Sequence, residues 1–302
     1  MVATAPSVRA EGLDKFYTRP DVAERLYRVV ENMYDNHSDW THIVEPSAGN
    51  GSFFDLLPLE KRSGIDIAPE HPGVTKMDFF DYCPMSNSED KVLVIGNPPF
   101  GKVSSLAIRF FNHASKWATV IAFIVPRTFR RISIQNRLDP RFHLVHDEDV
   151  STTPCAFVPP MSVKCCFQIW EYRRDEPERP RITLSTTHPH WKFLGHGPND
   201  AEGQPTPPFS PPPDFAVRAY GGQCGDIVSD HDAMMVLRPK SWHWISVSHS
   251  SEIGNGTEAP SKEILVERFR SLDYSVGTNT ARQNSIGRGE LVKLYIEKYP
   301  NQ

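Results

Sequence analysis

Apolar residues in the first half of the chain gather in short runs, separated by stretches where they recur every third or fourth position. Residues 41–44, 63–67, 91–96 and 120–125 are the runs, rich in Ile and Val, and the last is bounded by Pro126. Continuous β-branched runs of this length predict strands buried on both faces of a parallel sheet. Between them, residues 21–33 carry Val22, Leu26, Val29, Val30 and Met33 at helical spacing, with Pro20 at the start. Residues 105–116 repeat the pattern with Leu106, Ile108, Phe110 and Phe111. Strands alternating with helices predict an α/β, Rossmann-like doubly wound sheet with helices on both faces. A late pair, 142–145 and 163–172, predicts an antiparallel hairpin at the sheet edge.

The pattern then breaks. Residues 175–180 are charged and proline-containing, and 195–213 concentrate Gly and Pro, including Pro205, Pro207, Pro208 and Pro211 to Pro213. Such prolines favour extended backbone and supply no amide donors. Strand patterns return at 215–220 and 242–247, followed by helical ones at 262–272 and 290–299. The expected organisation is therefore a domain over 1–176, a linker or insertion over 177–213, and a small α+β accessory unit over 214–302.

Composition removes several classes. At 302 residues, 39% hydrophobic and 23% charged, the chain can bury an ordinary core. No run has the apolar length of a membrane span. Residues 1–11 lack an apolar core of the signal-peptide kind. The five cysteines, Cys83, Cys155, Cys165, Cys166 and Cys224, include no CxxC pair, so neither a zinc site nor a disulfide framework is expected. A soluble intracellular protein is the expectation. The net charge of −4 hides a local excess: from 102 to 141, Lys102, Arg109, Lys116, Arg127, Arg130, Arg131, Arg137 and Arg141 face only Asp139 in sequence. A solvated face and a nucleic-acid face are both open.

Three constellations carry chemistry. Glu45-Pro46-Ser47-Ala48-Gly49-Asn50-Gly51 follows the first strand, where glycines let a ligand approach the backbone. Glu45 can accept from a ligand's ammonium group. Asp66 ends the next strand, near the spacing at which an acidic residue bonds ribose hydroxyls. Asp78 and Phe79 can meet an adenine by its amino group and its face. Gly96-Asn97-Pro98-Pro99-Phe100-Gly101 follows the third strand directly. Its two prolines fix an extended turn. The Asn97 carboxamide oxygen and the Pro98 carbonyl can both accept hydrogens from one amino group, aiming its lone pair. Phe100 can stack on the flat ring that carries the amine.

These ordered motifs resemble class I S-adenosylmethionine-dependent methyltransferases, and more narrowly the amino methyltransferases with an Asn-Pro-Pro-aromatic signature. Phe16-Tyr17-Thr18-Arg19-Pro20 resembles the segment that precedes the cofactor turn in adenine-N6 enzymes of the gamma arrangement. The resemblance spans about residues 14–172. It implies S-adenosyl-L-methionine as cofactor and no metal. Tyr17 and Thr18 are then implied to line the methionine pocket, Glu45, Ala48 and Gly49 the cofactor turn, Asp66 the ribose, and Asp78 and Phe79 the cofactor adenine. Asn97, Pro98, Pro99 and Phe100 are implied to hold the target amine.

The implied reaction is methylation of adenine N6 in nucleic acid, DNA first and RNA second. Protein glutamine N5 methyltransferases share the signature, and guanine N2 or cytosine N4 would fit the same amine geometry. The basic run favours nucleic acid. So does an aromatic and basic mixture in and before the C-terminal unit (Trp191, Phe193, Tyr220, Trp242 and Trp244 among His188, Arg218, Lys240 and His243), readable as stacking platform or as core. Residues 279–289, with Arg282 and Arg288, are a candidate phosphate loop at a helix start. A non-catalytic subunit is disfavoured because Glu45, Asp66 and Asn97 are all present.

Overall fold

The computed structural model describes residues 15–34, 40–84, 89–208, 210–248 and 260–300. The leader reading of residues 1–11 lies outside them. The chain divides into two compact units, Met1–Arg181 and Ile182–Gln302.

The first unit contains β1 (Tyr17–Thr18), α1 (Pro20–Met33), β2 (His42–Glu45), β3 (Arg62–Asp66), β4 (Thr75–Lys76), β5 (Val92–Gly96), α2 (Ser105–Ala114), β6 (Val120–Pro126), α3 (Ile132–Gln135), β7 (Phe142–Val150), β8 (Phe157–Val158) and β9 (Cys165–Tyr172). Seven strands form one sheet in the order β4-β3-β2-β5-β6-β9-β7. The first five run parallel, and β9 lies antiparallel to both β6 and β7. This is the expected doubly wound, Rossmann-like α/β sheet.

Alternation within the central strands explains why they are apolar throughout. Val92 and Val94 face α2 with Ile121, Phe123 and Val125. Leu93 and Ile95 face α1 with Val120, Ala122 and Ile124. Each such residue taken from water stabilises the fold by about 1.5–3 kcal/mol. From β2 the chain first builds outward through β3 and β4, then returns to place β5 on the other flank of β2. That reversal makes the carboxyl ends of β2 and β5 a topological switch point, where open α/β sheets bind ligands.

The second unit is a four-stranded antiparallel sheet in the order β10 (Trp191–Leu194), β13 (Trp242–Val247), β11 (Phe215–Arg218), β12 (Ile227–Val228). Helices α5 (Lys262–Arg270) and α6 (Arg288–Lys298) pack on one face through Leu265, Phe269, Leu291 and Tyr295. The short α4 (His231–Met235) covers part of the other through Met234. The expected linker thus contains a strand, because β10 pairs with β13 over four residues. Its four positions were masked by the Gly- and Pro-rich stretch that follows.

The aromatic mixture of this unit is mainly core. Trp191 and Trp244 are each 1% exposed, and His188 stacks on Trp191 at 3.9 Å. His243 bonds the Ile286 carbonyl at 2.8 Å. Tyr220 is the exposed ring of the set. The candidate phosphate loop is also corrected. At the start of α6 the Glu290 carboxylate accepts from the Gly287 amide at 2.7 Å, placing negative charge where a phosphate would sit. Among the described residues no helix is long and apolar enough to cross a membrane.

Candidate cofactor and amine site

The glycine turn leaves β2 at Glu45 and is closed by the Ala48 amide on the Ile65 carbonyl at 2.9 Å and the Gly51 amide on the Ala48 carbonyl at 2.7 Å. Gly49 (φ +50°) and Gly51 (φ +89°) adopt backbone that side chains resist. Space forbids them too. A Cβ at Gly49 would lie 2.8 Å from the Tyr17 ring, and one at Gly51 2.9 Å from the His71 ring. Asp66, at the end of β3, reaches this turn. One carboxylate oxygen accepts from the Gly49 amide at 2.8 Å and the other from the Ala68 amide at 2.7 Å. Asp66 therefore fastens the turn, and each oxygen keeps a further lone pair.

A strap of backbone lies over the turn. β1 pairs antiparallel with β8, setting Tyr17 opposite Val158 and Thr18 opposite Phe157. Ser52 donates to the Thr18 carbonyl at 2.7 Å. The Tyr17 hydroxyl donates to Glu70, which Lys15 also grips at 2.9 Å. Burial, helped by Glu70, pushes the Tyr17 phenol up to about 12, so it stays a donor. Beneath the strap two polar atoms are buried without hydrogen-bond partners among the described residues, Thr18 Oγ1 and Glu45 Oε2. Burial raises the Glu45 carboxyl well above the usual range; the Phe54 backbone opposes this, and the charges of Asp66 and Asp55 add to it.

The Asn-Pro-Pro-Phe segment lies alongside. A Cβ at Gly96 would be 3.2 Å from Glu45 Cγ, so the ends of β5 and β2 touch. Ser47 Oγ donates to the Asn97 carbonyl at 3.0 Å. The Asn97 Nδ2 donates to the Phe16 carbonyl at 3.1 Å, while its Oδ1 is buried with no partner among the described residues. Since a carbonyl only accepts, Phe16 determines which end of the amide is nitrogen. Pro98 is buried, and the half-buried Phe100 packs against the clusters on both faces of the sheet. The Phe100 carbonyl accepts from the Leu106 and Ala107 amides at 3.1 and 3.3 Å.

The next residues are strained. Val103 (φ 52°) and Ser104 (φ 58°) are consecutive non-glycine residues in the left-handed region, at a cost of about 1–2 kcal/mol each. Ser104 is buried and shares a 2.8 Å hydrogen bond with Thr128 Oγ1, from the turn after β6. Val103 points outward, 71% exposed.

The expected adenine contact is placed differently. Asp78 caps a short turn, accepting from the Phe80 amide at 3.0 Å. Phe79 is 2% exposed and stacked on Phe110 at 5.0 Å, so its ring belongs to the core. Phe80 is the half-buried neighbour, with the Arg109 guanidinium over it at 4.3 Å.

Three arginines of the basic run are paired with carboxylates, two of them with residues distant in sequence. Arg130 forks onto Asp147 and reaches Asp149 at 2.8 Å. Arg127 meets Asp149 at 2.6 Å, and Arg141 meets Asp139 at 2.6 Å. Gln168, fully buried on β9, donates to Asp147 at 3.0 Å and accepts from Trp170 at 3.1 Å. Lys102, Lys116 and Arg137 remain exposed. Sequence reasoning assembled Tyr17, Thr18, Glu45, Ala48, Gly49, Asp66 and Asn97 to Phe100, which the structure brings together. It gave no role to Phe16, Ser47 and Ser52 within those segments and did not single out Glu70; they contribute a carbonyl, two hydroxyls and a carboxylate.

No family model and no curated protein matches the chain. Among solved structures, it is similar to a candidate RNA methyltransferase of Pyrococcus horikoshii, at 17% identity and a TM-score of 0.40, over 55% of this chain and 88% of that one. A candidate class I S-adenosylmethionine-dependent methyltransferase of Listeria monocytogenes is 13% identical with a TM-score of 0.40, over 56% and 64% of the two chains. The 23S rRNA methyltransferase ErmE is 16% identical with a TM-score of 0.37, over 56% and 73%.

Proposed function

We propose that the chain is an S-adenosylmethionine-dependent methyltransferase acting on the exocyclic N6 of adenine in nucleic acid, DNA first and RNA second. The observation that carries this reading is the Asn97 amide: its nitrogen is tied to Phe16 and its buried oxygen is left without a partner. An unpaired buried acceptor costs about 1–3 kcal/mol, which a bound N–H donor recovers.

The residues fit the proposed cofactor. Thr18 Oγ1 and Glu45 Oε2 are buried polar atoms awaiting partners, suited to an ammonium or hydroxyl group. The two buried glycines let the Tyr17 and His71 rings pack directly on the turn, and Asp66 keeps lone pairs for ribose hydroxyls. When bound, S-adenosylmethionine supplies an electrophilic methyl group. Asn97 Oδ1 and the Pro98 carbonyl then accept both hydrogens of the target amine and direct its lone pair. Phe100 provides a face for the ring that bears it. The amine releases its surplus proton to solvent, so no side-chain base is needed.

Phe100 favours a base over a glutamine side chain, which has no ring to stack. Labelled S-adenosylmethionine incubated separately with DNA, RNA and protein pools, followed by mass spectrometry, tests the reading. N6-methyladenine is expected. Label confined to protein glutamine, to another base, or absent from every pool overturns it.

A further inference from the structure

Resting on that reading, we infer that Val103 is a wedge which packs against the nucleotides flanking the target adenine in a double-stranded substrate and holds open the gap from which that base is extruded. A target amine inside a duplex is out of reach of Asn97 unless the base leaves the stack. Proteins that unstack bases insert an apolar side chain between neighbours. Val103 has the required properties. It sits three residues after Phe100 and is 71% exposed, a β-branched apolar group with no core to fill.

Its backbone is one that valine resists, and glycine would occupy it freely. The side chain therefore adds strain and exposed apolar surface without any packing in return. The loop is also rigid enough to push. On one side the Phe100 carbonyl holds the Leu106 and Ala107 amides. On the other, buried Ser104 is locked to Thr128. Gly101 is crowded against Leu106, where a Cβ would lie 2.8 Å away. The exposed Lys102 stands beside the wedge, placed for a phosphate of the same strand.

The test uses the full chain with Val103→Gly and Val103→Asn, both compatible with left-handed backbone. Methylation is measured on a matched duplex and on the same sequence with the target adenine unpaired, together with 2-aminopurine fluorescence at the target position. Both variants are expected to lose about tenfold or more on the duplex, with a weaker fluorescence rise, and to match wild type on the unpaired target. Thermal stability of Val103→Gly should equal or exceed that of wild type, which separates the loss from unfolding. Variants as active as wild type on the duplex, variants equally impaired on both substrates, or a wild type active only on single strands overturn the wedge alone. A wild type inactive on every nucleic acid overturns the underlying reading and the wedge with it.

Discussion

Asn97 and Phe16, 81 positions apart, meet through a 3.1 Å hydrogen bond from the Asn97 side-chain nitrogen to the Phe16 carbonyl. The bond joins the proposed amine-binding turn to the strap over the proposed cofactor turn, so one side chain serves both.

Asn97→Ala should abolish transfer, by a hundredfold or more on the order expected for lost positioning. It also removes one strap bond, worth about 0.5–1.5 kcal/mol, so cofactor affinity should fall by no more than about tenfold. Asn97→Asp sets a carboxylate oxygen against the Phe16 carbonyl and should bind cofactor more weakly than Asn97→Ala. Calorimetric titration of the three proteins checks this, and equal affinities for the two variants would contradict the orientation of the amide.

Glu45 makes stability depend on pH. Its raised folded-state pKa means the folded chain retains a proton that the unfolded chain releases. The favourable contribution is present below the ordinary carboxylate value and is lost as pH rises toward the raised one. Without cofactor, Glu45→Gln should melt above wild type at pH 8 and with it at pH 4. Its cofactor affinity at pH 8 should be lower. Parallel melting curves at both pH values would show that Glu45 is not perturbed.

Asp66 fastens the glycine turn before any ligand arrives, through the Gly49 and Ala68 amides. Asp66→Ala should therefore destabilise the ligand-free protein by about 1–3 kcal/mol, the cost of leaving such donors unmet. Chemical denaturation of wild type and variant measures it. Unchanged ligand-free stability with lost cofactor binding would limit Asp66 to ligand contact.

Arg127 and Arg130, just after β6, are tied to Asp147 and Asp149 and are expected to serve the fold. Arg130→Glu would set three carboxylates together with Asp147 and Asp149, so its melting temperature should fall, whether or not nucleic acid is present. Lys102→Ala should leave the melting temperature alone and lower the salt slope of nucleic-acid binding by about one unit. An unaltered slope would return Lys102 to the solvated surface.

What was legible in the chain follows from how local each signal is. The central strands declared themselves because burial on both faces leaves no polar position, as in Val92 to Ile95. Glu45 and Asp66 were legible because each ends a strand that the pattern already marked, and Gly49 and Asn97 because each lies in the turn just after one. Phe79 was misplaced because sequence order does not say which of two adjacent rings turns inward; Phe110 stacks on Phe79 and meets the half-buried Phe80 edge-on. The ion pairs within the basic run were hidden for a related reason. The counter-charges of Arg127 and Arg130, Asp147 and Asp149, lie on a strand that reaches them only after the sheet has assembled. Trp191 and Trp244 read more readily as core than as platform, and the sheet of the second unit buries both.

The pairing of Tyr17 with Val158 joins positions about 140 residues apart through two strands of two residues each. Closing so long a loop carries a large entropic cost, while so small a ladder returns little. During synthesis the strap finds its partner only once Val158 has left the ribosome. The glycine turn, by contrast, is complete when β3 and β5 are in place. The amides of the strap should therefore be late to protect and early to exchange, and a ligand lodged beneath Tyr17 and Thr18 would act as the fastener that the short ladder cannot be.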